Sequence, residues 1–132
     1  MLYQSDVTGE PMESVIASFW RVRTATQGAR EMAERLARGA ARERERIDRA
    51  IAAAASHCRL ERIAAIERNV LRLGAYELIM ELGTPASVVI DEAVELAKRF
   101  GEAESSAFVN GVLDAIRRSE GGERSEEDGG DE

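Results

Sequence analysis

The sequence predicts an all-α protein, and three observations carry that prediction. Ala, Arg, Glu and Leu, all strong helix formers, dominate its 132 residues. Only two prolines occur, Pro11 and Pro85, which leaves room for long unbroken helices. Apolar residues recur three and four positions apart along most of the chain, and no run shows the two-residue alternation of a half-buried strand. The length suits one domain with one sizeable core. Residues 1–118 carry the helical pattern; residues 119–132 do not.

The elements follow in order. Met1 to Asp6 reads as the end of a helix, closed by a turn at Thr8-Gly9-Glu10-Pro11. Met12, Val15, Ile16 and Phe19 then share one helical face. A further helix from about Ala29 places Met32, Ala33, Leu36 and Ala37 together. The alternating charges of Arg42 to Arg46 must be largely exposed, after which Ile47, Ile51 and Ala54 or Ala55 restore an apolar stripe. Ser56 to Arg59 breaks it. Leu60, Ile63, Ile66, Val70, Leu73 or Gly74, Leu78 and Leu82 form the longest amphipathic segment, ended by Gly83. Thr84 fits an N-cap with Pro85 at the first helical position. Val89, Ala93, Leu96, Ala97 and Phe100 give the next stripe; Lys98 and Arg99 suit the helix dipole and Gly101 stops it. Although Val88-Val89-Ile90 is β-branched, it lies within that helical period. Ser105 is placed to cap a last helix whose buried face is Phe108, Val109, Val112, Leu113 and Ile116. Gly74 and Gly111 inside helical patterns imply either a close helix crossing, which is the preferred reading, or a surface approached by a partner. Residues 119–132 hold no apolar side chain to offset the entropy of ordering and are expected to be a disordered acidic tail.

The net charge of −7 is unevenly spread, because the tail alone supplies −6 of it. Within the nearly neutral body, Arg21 to Arg62 carries 11 basic against 6 acidic residues. That excess suits a polyanionic partner, and suits equally well a solvated face laced with ion pairs. A single cysteine, Cys58, precludes an internal disulfide and points to a reducing compartment, hence the cytoplasm. No stretch approaches the roughly 20 apolar residues needed to cross a membrane, and the N-terminus lacks the pattern of a signal peptide.

Little of the sequence suits catalysis. His57 and Cys58 are adjacent, so their side chains diverge by about 100° on a helix and lack the distant partners of a zinc site. The Asp91-Glu92 pair is explained by its place early in a helix. The body's glycines are isolated, with no phosphate-cradling loop. No enzyme activity, cofactor or metal is expected.

Three segments in the C-terminal half nevertheless form a specific combination: LRLGAYEL (71–78), TPASVVIDEAVELAKRFG (84–101) and SSAFVNGVLD (105–114). With Met1-Leu2-Tyr3-Gln4 at the start, they resemble the NusB family over residues 1–118. The resemblance implies a compact double helical bundle of about six to seven helices. It implies transcription antitermination in ribosomal RNA synthesis, with boxA-like single-stranded RNA, NusE (also a small-subunit ribosomal protein) and an RNA polymerase-bound complex as partners.

At residue level the resemblance implies RNA binding by Tyr3, Glu104 and Phe108, and NusE binding by Glu67 and Arg72. Aromatic stacking and a helix N-terminus near Ser105 and Ser106 suit that chemistry. Phe108 also reads as core, Glu104 as a helix-start charge, and Glu67 and Arg72 as surface ion-pairing residues. The family has an arginine-rich stretch ahead of -LYQ-, where this sequence has only Met1. Roughly a dozen residues have no counterpart here, so the first helix is expected to be about two turns long and marginal alone. Weaker RNA affinity, a shallower salt dependence and an apolar patch that favours homodimerisation are the expected consequences. Two alternatives stand beside this reading: a protein-interaction or regulatory domain of the same fold without RNA binding, and a detached domain of an RNA methyltransferase.

Overall fold

A computed structural model describes residues 1–55, 60–80, 83–102 and 104–120. Among them are seven α-helices, one 3-10 turn and no strand. His57 and Cys58 lie outside the described residues, as does the tail beyond Glu120.

α1 (Leu2–Thr8) ends where Gly9 turns left-handed, with φ 78°, and donates its N–H to the Ser5 carbonyl at 2.9 Å. That conformation favours glycine, as the turn reading required. Thr8 Oγ1 donates to the Gln4 carbonyl and Ser5 Oγ to the Glu10 carbonyl, which fixes the turn. Pro11 then opens α2 (Met12–Val22); its carbonyl accepts from the amides of Ser14 and Val15. α3 (Gln27–Arg42) starts two residues before the expected Ala29, because Thr26 Oγ1 accepts the Ala29 N–H at 3.2 Å. α4 (Arg44–Ala54) follows after a single residue, Glu43.

The long segment expected from Leu60 is divided. Leu60–Arg62 forms the 3-10 turn, and α5 (Ala65–Met80) begins after it. α6 (Ala86–Phe100) has Pro85 at its N-cap without side-chain capping, so the Thr84 cap expected from sequence is not formed. α7 (Ser105–Glu120) runs two residues beyond the expected domain end.

α5 is the hub, touching α1, α3, α4, α6 and α7. Around it Ile47, Ile51, Leu71, Leu78, Val89, Val109, Leu113 and Ile116 form the main core. A smaller cluster of Met12, Val15, Ile16 and Ala37 joins α2 to α3. Two glycines allow close approaches. A Cβ on Gly74 would lie 2.8 Å from Leu113 Cδ1, and one on Gly39 would overlap the Tyr76 ring. Gly111 differs: a Cβ there meets nothing within 4 Å, so the close-crossing expectation holds for Gly74 and fails for Gly111. Met32 and Phe100, both expected on buried stripes, are each 56% exposed. Burial in α3 is centred on Ala37, a member of the expected stripe, together with Gly39 and Ala40.

Candidate nucleic-acid interface

Because α5 is enclosed by five helices, its apolar residues serve two purposes. Leu71, Ala75 and Leu78 are fully buried. Ile66, Val70 and Leu73, the residues that make the sequence stripe visible, are only half-buried. They floor an open apolar groove of about 550 Å³. Its walls include Tyr3 from α1, Phe19 from α2, Leu36 from α3, and Leu96 and Phe100 from α6. Tyr3 is 48% exposed there. The groove thus gathers three aromatic side chains, one of which the sequence pointed to as functional.

Cations flank two of these rings. The Arg23 guanidinium lies 4.5 Å from the Phe19 ring centroid, and Arg99 lies 6.0 Å from that of Phe100. Arg30 covers Trp20 at 4.9 Å, and Trp20 meets Phe19 edge to face. Such arginine–aromatic pairs offer both charge and a flat surface to a nucleic acid. Sequence reading missed the half-buried Phe19 and the exposed Phe100 as groove residues, since each continues a helical apolar stripe. The one available signal was the position of Phe100 beside the helix-ending Gly101.

Beyond Phe100 the chain turns into α7. Ser105, fully buried, receives the Glu102 N–H on its Oγ at 3.0 Å and donates its hydroxyl to the Glu67 carboxylate. Thus Glu67, half-buried on α5, is tied to the first residue of α7. The serine expected to cap α7 instead closes the α6–α7 turn and links it to α5. Glu104, one residue earlier, is exposed, and its carbonyl accepts the Phe108 N–H at 3.3 Å. Phe108 is half-buried against the main core, so it takes part in packing while keeping some surface. Ile66 on the groove floor and Glu67 at the α7 turn are sequence neighbours. The first turns of α5 therefore join the Tyr3 groove to the Glu104–Phe108 end of α7.

Arg72, expected in a surface ion pair or partner contact, is 5% exposed. Its guanidinium grips Asp48 on α4 with two hydrogen bonds, of 2.9 and 3.1 Å, and lies 3.2 Å from Asp6 on α1. The hub position of α5 turns this residue inward, where a cation needs carboxylate partners. Asp6 also receives Arg68 and Asn69 at 2.8 Å each. Burial pushes the Asp6 carboxyl up, but hydrogen bonds from Asn69 and Arg68 and the charges of Arg68 and Arg72 outweigh it. They hold the group below its ordinary value of 3.8. Among the described residues no group of His, Cys, Asp and Glu is arranged to hold a metal, and no helix is long and apolar enough to cross a membrane.

The model of the NusB family matches residues 1–118. The chain belongs to the NusB family. It is 46% identical over 121 residues to the transcription antitermination protein NusB of Sorangium cellulosum, covering 92% of this chain and 86% of that protein. The NusB of Anaeromyxobacter dehalogenans strain 2CP-1 is 43% identical over 116 residues, covering 87% of this chain and 81% of the relative. Among solved structures, NusB of T. maritima superposes with a TM-score of 0.84 at 35% identity, across 95% of this chain and 89% of that one. A chain from a crystal structure of antitermination factors NusB and NusE in complex with double-stranded RNA matches with a TM-score of 0.75 at 33% identity. That match covers 89% of this chain and 88% of the other. The double bundle expected from the sequence is the NusB fold observed here.

Proposed function

We propose that this chain acts in transcription antitermination by binding boxA-like single-stranded RNA together with NusE, within a complex on RNA polymerase in the cytoplasm. The observation that most supports this reading is its likeness, over 89% of its length, to a chain from a structure of NusB and NusE with double-stranded RNA. The local chemistry agrees. In this reading Tyr3 stacks on a base at the groove edge, and Phe108 offers a second apolar edge at the start of α7. The exposed carboxylate of Glu104 accepts from a base amino group. NusE meets the surface around Glu67. Arg72 is enclosed and holds α1 and α4 to α5 through Asp6 and Asp48, so it supports the fold beneath any NusE contact rather than making one. The protein works by binding rather than by catalysis.

The test is titration of a boxA-type RNA oligonucleotide at two salt concentrations, with the wild-type chain, Tyr3→Ala and Phe108→Leu. Stacking on one aromatic ring contributes about 1–3 kcal/mol, so Tyr3→Ala is expected to weaken binding about tenfold. Phe108→Leu keeps most of the packing and weakens binding less. Salt-independent binding that neither substitution alters would overturn the RNA reading.

One observation favours a second reading, self-association. The groove is apolar, open and edged by the exposed Phe100. Light scattering across a dilution series measures it directly, and Phe100→Ser is expected to shift the equilibrium toward monomer. A mass that stays at that of one chain throughout the dilution, in both proteins, would remove it.

A further inference from the structure

α1 commits little of its surface to the core, and none of its residues is fully buried. Beneath it lies a small cavity of about 80 Å³, lined by Leu2, Ser5, Asp6, Asn69 and Arg72 among others, so apolar packing on that side is incomplete. Yet α1 carries Tyr3, whose use in recognition depends on where its ring points.

One carboxylate supplies the missing constraint. Three donors from α5 converge on a single oxygen, Asp6 Oδ2: Arg68 through Nε at 2.8 Å, Asn69 Nδ2 at 2.8 Å and Arg72 Nη1 at 3.2 Å. These donors are themselves fixed. Arg68 also donates to the Ile63 carbonyl at 2.8 Å, Asn69 to the Ala65 carbonyl at 2.8 Å, and Arg72 holds Asp48. The socket on α5 is therefore pre-organised, and Asp6, 10% exposed at its side chain, fills it. Asp6 lies less than one turn beyond Tyr3, so fixing it sets the rotation of α1 about its axis.

We propose that Asp6 is a positioning residue for RNA binding: its docking into the Arg68–Asn69–Arg72 socket holds α1 in the orientation that presents Tyr3. This rests on the reading above in which Tyr3 meets RNA. The experiment is a double-mutant cycle on affinity for a boxA-type RNA oligonucleotide, using the full chain with Tyr3→Ala, Asp6→Ala and both together. Each single variant is expected to lose about tenfold, and the double variant no more than the weaker single. Amide hydrogen exchange supplies the second readout. In Asp6→Ala the Ser5 and Gly9 amides exchange faster, while Leu71 and Val109 keep their protection. If Asp6→Ala fails to fold, Asp6→Asn carries the same cycle, since it keeps the shape and removes the charge.

Losses that multiply in the double variant, or faster exchange spread evenly over α5 and α7, would overturn the proposal in favour of a general stabilising role. So would unchanged affinity in Asp6→Ala alongside weakened binding in Tyr3→Ala, an outcome that leaves the RNA reading standing. Unchanged affinity in Tyr3→Ala removes the Tyr3 reading itself, and the proposal with it.

Discussion

Two glycines in this protein are expected to respond in opposite ways to the same substitution. In the middle of a helix, alanine is favoured over glycine by about 1 kcal/mol. Gly111 on α7 is exposed, and an added methyl group meets no atom within 4 Å. Gly111→Ala is therefore expected to gain most of that preference, about 0.5–1 kcal/mol. Gly39 on α3 is buried against Tyr76, where a Cβ would overlap the hydroxyl oxygen and Cζ and lie 3.0 Å from Cε1. Tyr76 is itself 4% exposed, so its ring cannot move without displacing the core. Overpacking costs up to about 3 kcal/mol, which leaves Gly39→Ala about 2 kcal/mol less stable after the gain in helix preference. For a chain of this size 1 kcal/mol moves the melting temperature by about 4 °C, so the two variants should differ by roughly 10 °C. Circular dichroism melts and urea titrations at matched protein concentration measure both. A Gly39→Ala protein as stable as Gly111→Ala would refute the close α3–α5 crossing.

Three further outcomes follow from the same packing and charge arguments. Arg72→Ala leaves Asp6 and Asp48 without their shared cation and should cost about 3–5 kcal/mol in urea unfolding; a loss below 1 kcal/mol would show the network to be dispensable. Because Asp6 is held below its ordinary value of 3.8, the folded state binds fewer protons than the unfolded chain between the two values. Its contribution is thus complete above the ordinary value and is lost as pH falls through the lowered one, so the stability gap between wild type and Asp6→Asn should close in acid. Leu113→Ala alone is expected to cost about 2–5 kcal/mol. Gly74→Ala should be tolerated better in that background than in wild type, since the Cδ1 that stood 2.8 Å from the new methyl is gone; additive losses in the double variant would contradict the contact.

Much of the fold could be read from the sequence because helix period and capping are local. Gly9, Pro11 and Gly101 end or begin elements as expected, and Val109, Val112, Leu113 and Ile116 bury the predicted face of α7. Position relative to the molecular surface was less accessible. Phe100 continues the Val89–Ala93–Ala97 spacing, yet it lies at the rim of the open groove and stays 56% exposed while Ala97 is fully buried. Gly74 and Gly111 look alike in sequence, and only the facing element distinguishes them: Leu113 for one, open space for the other. The Asp6 socket was hidden for a different reason. Its partners Arg68 and Asn69 are 62 and 63 residues away, and no local pattern records a pairing of that range. The motif of residues 105–114 drew attention to the start of α7, whereas the aromatic groove emerges only once α1, α2, α5 and α6 are assembled.

Joint recognition of RNA and NusE by this chain makes the affinity for each depend on the other. Fluorescence anisotropy of a labelled boxA-type RNA, titrated with the chain in the absence and presence of NusE, measures it. RNA binding is expected to be tighter when NusE is present, and by linkage NusE binding is expected to tighten equally when RNA is present. RNA affinity that is indifferent to NusE, with both proteins folded, would contradict it.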